Sequence, residues 1–340
     1  MWLNGLCCGH RMLYVFLLRS FLGRSCTDMP NWMEVSREIN GTIPPIHAVR
    51  NKYLQIMHKY TGRNIIAYYS AFLQKPNLNQ TGIDDNDKNA FMQAVHGLDR
   101  SKGLDLILHT PGGNLAATES LVIYLKQMFG NDIRAFVPQI AMSAGTMIAL
   151  AAKEIVMGKQ SNLGPIDPQF GGISCAGIIE EFNTAVNAVK INPASAAMWG
   201  MIIQKYHPTF IGECDKAIKW AEKMAKDWLA ANMFHSLTPK KRTKTVDSIV
   251  EKLSSHTETF SHQRHIHMEE LSKLGLKIVA LEELDSKKIG GCTDLQDCVL
   301  TLHHAYMQCL SVLNIRKIIE NHIGSNMAML AGVQVPNQKK

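Results

Sequence analysis

Two stretches of this chain resolve into the same pattern: an apolar run, a turn rich in small residues, and then a helical run. The first is Leu104-Asp105-Leu106-Ile107-Leu108-His109-Thr110 followed by Pro111-Gly112-Gly113, with Leu115, Leu121, Val122, Leu125, Met128 and Phe129 at helical spacing behind it. The second is Ile133-Arg134-Ala135-Phe136-Val137, then Pro138 to Gly145, then Thr146 to Ala152. Short apolar runs bounded by turn residues and alternating with helices predict a parallel sheet flanked by helices. The rest of the chain fits that plan. Helices are predicted over 43–61, 85–98 and 268–274, strands over 64–70, 154–157 and 276–281, and mostly helix over 173–254. Residues 294–323 read as a helical segment, and the chain from Gly324 as weakly ordered.

The two turns carry complementary chemistry. Gly112 and Gly113 lack a Cβ, so their backbone turns sharply and approaches a ligand closely, with N–H groups at a helix start. Ser143 stands between Ala141, Ala144 and Gly145, which leave its hydroxyl reachable. A nucleophile beside N–H donors aimed at a developing oxyanion is what acyl transfer needs. Taken singly, each motif has an ordinary meaning, a turn for the first and a helix N-cap for the second. Their matched setting, thirty residues apart, lifts the pair above that.

On these residues the chain resembles the ClpP/crotonase superfamily, within it the signal peptide peptidase A branch, and most closely the serine dehydrogenase proteinase family. The resemblance runs through 103–113, 137–146 and 161–169, more weakly through 62–70 and 260–266, and covers roughly residues 30 to 290. It implies an α/β fold, a ClpP/crotonase-like spiral of β-β-α units with a helical C-terminal extension. It implies a serine endopeptidase acting on polypeptides, with Ser143 as nucleophile, Gly112, Gly113 and the Ala144 N–H as oxyanion hole, and Gly164 and Asp167 lining the substrate cleft. It implies a homo-oligomer with sites partly built at subunit contacts, and neither metal nor organic cofactor.

The general base departs from ClpP, where a His follows the Ser closely. Here that neighbourhood reads Gly164-Pro165-Ile166-Asp167-Pro168-Gln169, and the first His after Ser143 is His207. The signal peptide peptidase A branch uses a Lys, which serves as base only when burial lowers its pKa. Of Lys153, Lys159, Lys190 and Lys205, the last has the branch's position, ahead of a long helix, and Ser143–Lys205 is the expected dyad. Two other classes stay open. An α/β-hydrolase esterase would read Ala141-x-Ser143-x-Gly145 as a nucleophile elbow and needs a downstream Asp then His, for which His256 to His267 are available. A non-peptidase or scaffold member of the crotonase superfamily would need no base.

Composition places the protein among globular enzymes, 46% hydrophobic and 19% charged, with a net charge of +7. The basic runs 215–226 and 239–244 read as a solvated helix face and a loop rather than a nucleic-acid surface. Eight scattered Cys without a Cys-x-x-Cys pair read as free thiols of a reducing, cytoplasmic compartment. His262, His265 and His267 lack the second cluster that a metal site requires. Residues 1–28 read as lying outside the fold. Their apolar run Met12–Leu18 is too short to span a bilayer and precedes no clear cleavage site, and Met29 is the expected natural start. Membrane association is open but not indicated. The fold is expected over 29–290, followed by the extension over 291–340.

Overall fold

The computed structural model describes residues 45–255 and 261–332. Met12–Leu18, Met29, His256 and Phe260 lie outside the described residues. The chain runs α1 (Pro45–Thr61), β1 (Asn64–Ser70), α2 (Asp85–Val95), β2 (Leu104–His109), α3 (Leu115–Phe129), β3 (Ile133–Val137), β4 (Ile140–Ala141), α4 (Ala144–Leu150) and β5 (Glu154–Met157). Then come β6 (Asn162–Leu163), β7 (Gln169–Phe170), β8 (Ile173–Ser174), α5 (Cys175–Ile191), α6 (Ala196–Ile203), α7 (Phe210–Ala231) and α8 (Pro239–Ser254). It ends with β9 (Ile266–His267), α9 (Met268–Leu274), β10 (Ile278–Ala280), α10 (Leu295–Val312), β11 (Ile315–Asn321) and β12 (Asn326–Leu330).

Seven strands form one sheet in the order β10-β5-β3-β2-β1-β11-β12. Pairings from β10 through β1 are parallel, and β11 and β12 join antiparallel. Both faces are covered, which is why β1 and β2 are buried along their whole length. The period-2 alternation sorts their side chains. Ile66, Tyr68, Leu104, Leu106, Leu108, Ala135 and Val137 join the core under α2, α3, α4, α7 and α8. Ile65, Ala67, Tyr69, Ile107, Phe136 and Val156 join a second core under α1 and α10. Helix starts carry side-chain caps: Asp84 forms a capping box with Asp87 on α2, Asn114 accepts from the Ala117 N–H on α3, and Asp294 from the Asp297 N–H on α10.

The C-terminal reading needs correction. The helix stops at Val312, Ile315–Asn321 is a strand paired with the central β1, and the stretch after Gly324 forms β12. The segment after residue 290 is thus part of the main sheet. Charges at buried strand positions hid the pattern: Glu320 pairs with Arg50 at 2.7 Å, and Lys317, fully buried, pairs with Asp84 and Asp87 at 2.9 Å each.

Parallel strands share one C-terminal edge, where loops from successive strands meet. The loop after β2 and the chain after β3 meet there: the Met142 N–H donates to Thr110 O at 3.0 Å, and the Thr110 N–H to Ile140 O at 3.3 Å. The opposite edge is closed by charge, with Arg63 and Arg134 each 2.7 Å from the buried Asp105 carboxylate. Among the described residues, no helix is long and apolar enough to cross a membrane.

Candidate active site

Ser143 stands at the sharp turn between β4 and α4. It is one of three non-glycine described residues with positive φ, at φ 51° and ψ −116°, and its side chain makes no cap to the helix it precedes. That backbone is strained for a residue with a Cβ and is sustained by its surroundings. It also disposes of the N-cap reading, since a capping Ser has extended backbone and bonds the first turn.

Gly112 lies directly against it. A Cβ on Gly112 would stand 2.7 Å from Ser143 Cβ and 2.8 Å from Met142 O, and φ is 98°. Gly113 is pressed as tightly on the other side, where a Cβ would stand 2.2 Å from Ile83 N. Ile83 grips the loop by two hydrogen bonds, its N–H to Gly112 O at 2.7 Å and its carbonyl from the Asn114 N–H at 2.8 Å. The expected N–H donors separate here. The Gly112 N–H donates to Thr110 Oγ1 at 3.2 Å, so it is occupied. The N–H groups of Gly113 and Ala144 donate to no acceptor among the described residues.

The segment expected to line the cleft follows β6. Gly164 abuts Met142, whose Cε would be 2.4 Å from a Cβ there. Thr146 Oγ1 holds Gly164 from the α4 side, lying 2.9 Å from its carbonyl and accepting from its N–H at 3.0 Å. Asp167, two residues beyond Pro165, is 1% exposed. Its Oδ1 lies 2.7 Å from His262 Nδ1, and its Oδ2 has no partner. Asp167 is therefore more than a turn-former before Pro168.

A three-stranded sheet, β4-β6-β9, explains how His262 reaches this place. β4 runs parallel to β6 with Ala141 opposite Leu163, and β9 runs antiparallel with Ile266 opposite Leu163. The residues after Ala141, the residues after Leu163 and the residues before Ile266 all leave the sheet at one end. Ser143, Asp167 and His262 are those residues. No hydrogen bond joins Ser143 to His262 among the described residues, as is common before substrate binds. Of the His cluster, His262 is partly buried, whereas His265 and His267 are exposed. Among the described residues, no group of three or more His, Cys, Asp or Glu is placed to hold a metal.

Lys205 does not have the environment a Lys base needs. It lies in the turn after α6, exposed, its N–H donating to Ile202 O at 3.1 Å. The cause is α6 itself, an entirely apolar helix with no buried residue, so the turn it leads into is carried out towards solvent. Lys159 and Lys190 are exposed as well, and Lys153 pairs with Asp132 at 2.7 Å at the opposite edge of the sheet. The signal that sequence reasoning passed over was His262, downstream of an Asp in the Ser–Asp–His order.

Comparison with known proteins adds the family. A stretch of 100 residues is 38% identical to an uncharacterized protein of Methanocaldococcus jannaschii, covering 29% of this chain and 34% of that one. A second uncharacterized protein of the same organism is 39% identical over 98 residues, with the same shares. The matched stretch spans about a third of the length of each relative. Residues 50–284, more than two thirds of the 340, match the ClpP-like SDH-type serine proteinase family, and the chain belongs to it.

Proposed function

We propose that the protein is a serine endopeptidase that cleaves polypeptides through an acyl-enzyme on Ser143. The observation that carries this reading is the strained Ser143 turn, held against Gly112 with the Gly113 and Ala144 N–H groups unengaged beside it. Ser143 Oγ attacks the scissile carbonyl. The oxyanion takes the N–H groups of Gly113 and Ala144. Gly164 and Asp167 border the cleft, and the alternating strands and helices are read as the β-β-α spiral of the superfamily.

His262 is the base that the geometry supports best. With its Nδ1–H donated to Asp167, Nε2 carries the lone pair that accepts the Ser143 proton and returns it to the leaving amine. The Ser143–Lys205 dyad is the second reading. The exposure of Lys205 means that it would have to be buried by a neighbouring subunit of a homo-oligomer.

Fluorophosphonate labelling and casein cleavage test both. Loss of the adduct in Ser143→Ala establishes the nucleophile. Loss of casein cleavage in His262→Ala, with Lys205→Ala active, supports the His base; the reverse outcome supports the dyad. A chain that neither labels nor cleaves casein would sink the peptidase reading in favour of the scaffold class.

A further inference from the structure

The arm made by α5 and α7 has a small apolar core of its own. Cys175, Ile178 and Cys214 form it, with Phe182, Tyr206 and Phe210 packed around. Cys175 is the first residue of α5 and Cys214 lies early in α7, thirty-nine residues on. Both are fully buried, and their thiols are in hydrogen-bonding contact with each other. Both are free thiols.

This pair borders the candidate active site. The Cys175 N–H donates to Pro168 O at 2.9 Å, and its sulfur lies close enough to Asp167 to feel the carboxylate charge. Asp167 in turn holds His262. Cys292 and Cys298 are also in thiol contact, but they belong to the core under α1 and α10.

We propose that Cys175 and Cys214 are a reversible disulfide site whose closure disturbs the Asp167–His262 pair and lowers activity. The disulfide stands on the thiol geometry alone; its effect on activity rests on the serine peptidase reading. The oxidant is a low-molecular-weight disulfide such as oxidised glutathione. One protein thiolate attacks it, forming a mixed disulfide and releasing one glutathione thiolate. The second protein thiolate displaces the other glutathione. One S–S bond is broken and one formed; the two protein sulfurs are oxidised, glutathione disulfide is reduced, and the two thiol protons pass to the released glutathione.

Burial pushes the Cys175 thiol up to about 12, so the packed pair is unreactive and exchange waits on separation of α5 from α7. Once formed, an S–S bond of roughly 2 Å draws the two sulfurs well inside hydrogen-bonding distance. The first turn of α5 follows, and with it Pro168 and the adjoining Asp167.

The test equilibrates the full chain with glutathione mixtures of rising oxidising ratio, blocks remaining thiols, and maps peptides by mass, with casein cleavage assayed in parallel. The expected result is a linked peptide joining Cys175 to Cys214 and a fall in cleavage of roughly tenfold or more, reversed by dithiothreitol. Cys214→Ser should keep its activity through the same treatment. Three results would overturn the proposal: no linked peptide at the most oxidising ratio, a linked peptide with cleavage unchanged, or an equal loss in Cys214→Ser. A reduced chain without casein cleavage counts against the peptidase reading, and the linked peptide, read by mass, still decides the disulfide.

Discussion

His262 Nδ1 and Asp167 Oδ1, ninety-five residues apart in the chain, lie 2.7 Å from each other at the end of the small β4-β6-β9 sheet where Ser143 also emerges. The carboxylate is fully enclosed and the imidazole 16% exposed, so the pair has one face towards the protein and one towards the cleft. Asp167→Asn keeps the shape but offers His262 an amide, which favours the tautomer with the proton on Nε2. Casein cleavage should fall by roughly 10³-fold or more. The thermal midpoint should stay within a few degrees, since Asp167 Oδ2 has no partner to lose. Full activity in a folded Asp167→Asn would remove His262 from the mechanism.

Gly112→Ala tests the other side of the site. Its Cβ would stand 2.7 Å from Ser143 Cβ and 3.0 Å from Ala144 N, at a φ of 98° that L side chains rarely adopt. Either Ser143 or the Gly113 N–H must move. Cleavage should drop roughly 10²-fold or more through the lost oxyanion geometry, with the fold retained by circular dichroism. An Ala variant as active as the parent would mean that the turn is only structural.

The central sheet and both turns were legible because their signals are local. Leu104–His109 and Ile133–Val137 are short apolar runs, and the glycines and Ser143 sit at fixed offsets behind them. The base was not legible for a physical reason. β6 and β9 are two residues long, too short for any periodicity to register, yet they are what brings His262 to Asp167. The Asp-then-His order was visible and was attached to the esterase reading. Lys205 failed for the converse reason: Ala196–Ile203 reads as a buried helix, and burial depends on partners that the sequence does not name. In Ile315–Asn321, Lys317 and Glu320 disguise a strand because their counter-ions come from α1, α2 and the turn before it.

Lys317 supports the oxyanion loop from below. Its ammonium bonds Asp84 and both oxygens of Asp87, and Tyr68 donates to Asp87 at 3.0 Å. Asp84 adjoins Ile83, which grips Gly112 and Asn114. Lys317→Met strands buried carboxylates and should cost about 3–5 kcal/mol in urea unfolding. Lys317→Met with Asp87→Asn, removing both charges, should recover part of that loss. A Lys317→Met midpoint equal to the parent's would contradict the buried ion pair.

His109 and His303 set the acid limit of the fold. They lie face to edge, ring centroids 5.4 Å apart, against Tyr69 and beneath the oxyanion loop. Neither nitrogen of His109 has a partner, and burial alone depresses its pKa from 6.5 to about 3. His303 is lowered by burial and then by the neighbouring imidazoles His109 and His304. The sign follows from proton binding. Below pH 6.5 the unfolded chain takes up protons that the folded chain refuses, so stability is fully present above 6.5 and is lost as pH falls towards 3. Each pH unit costs about 1.4 kcal/mol per such His once well below 6.5. Urea midpoints should therefore fall steeply between pH 6 and 4. His109→Phe puts a ring of similar shape without nitrogens among Tyr69, Phe72 and His303. It should match or exceed the parent at pH 7 and show a shallower acid slope. An unchanged slope in His109→Phe would show that this imidazole is already protonated, or reached by water, in the folded protein.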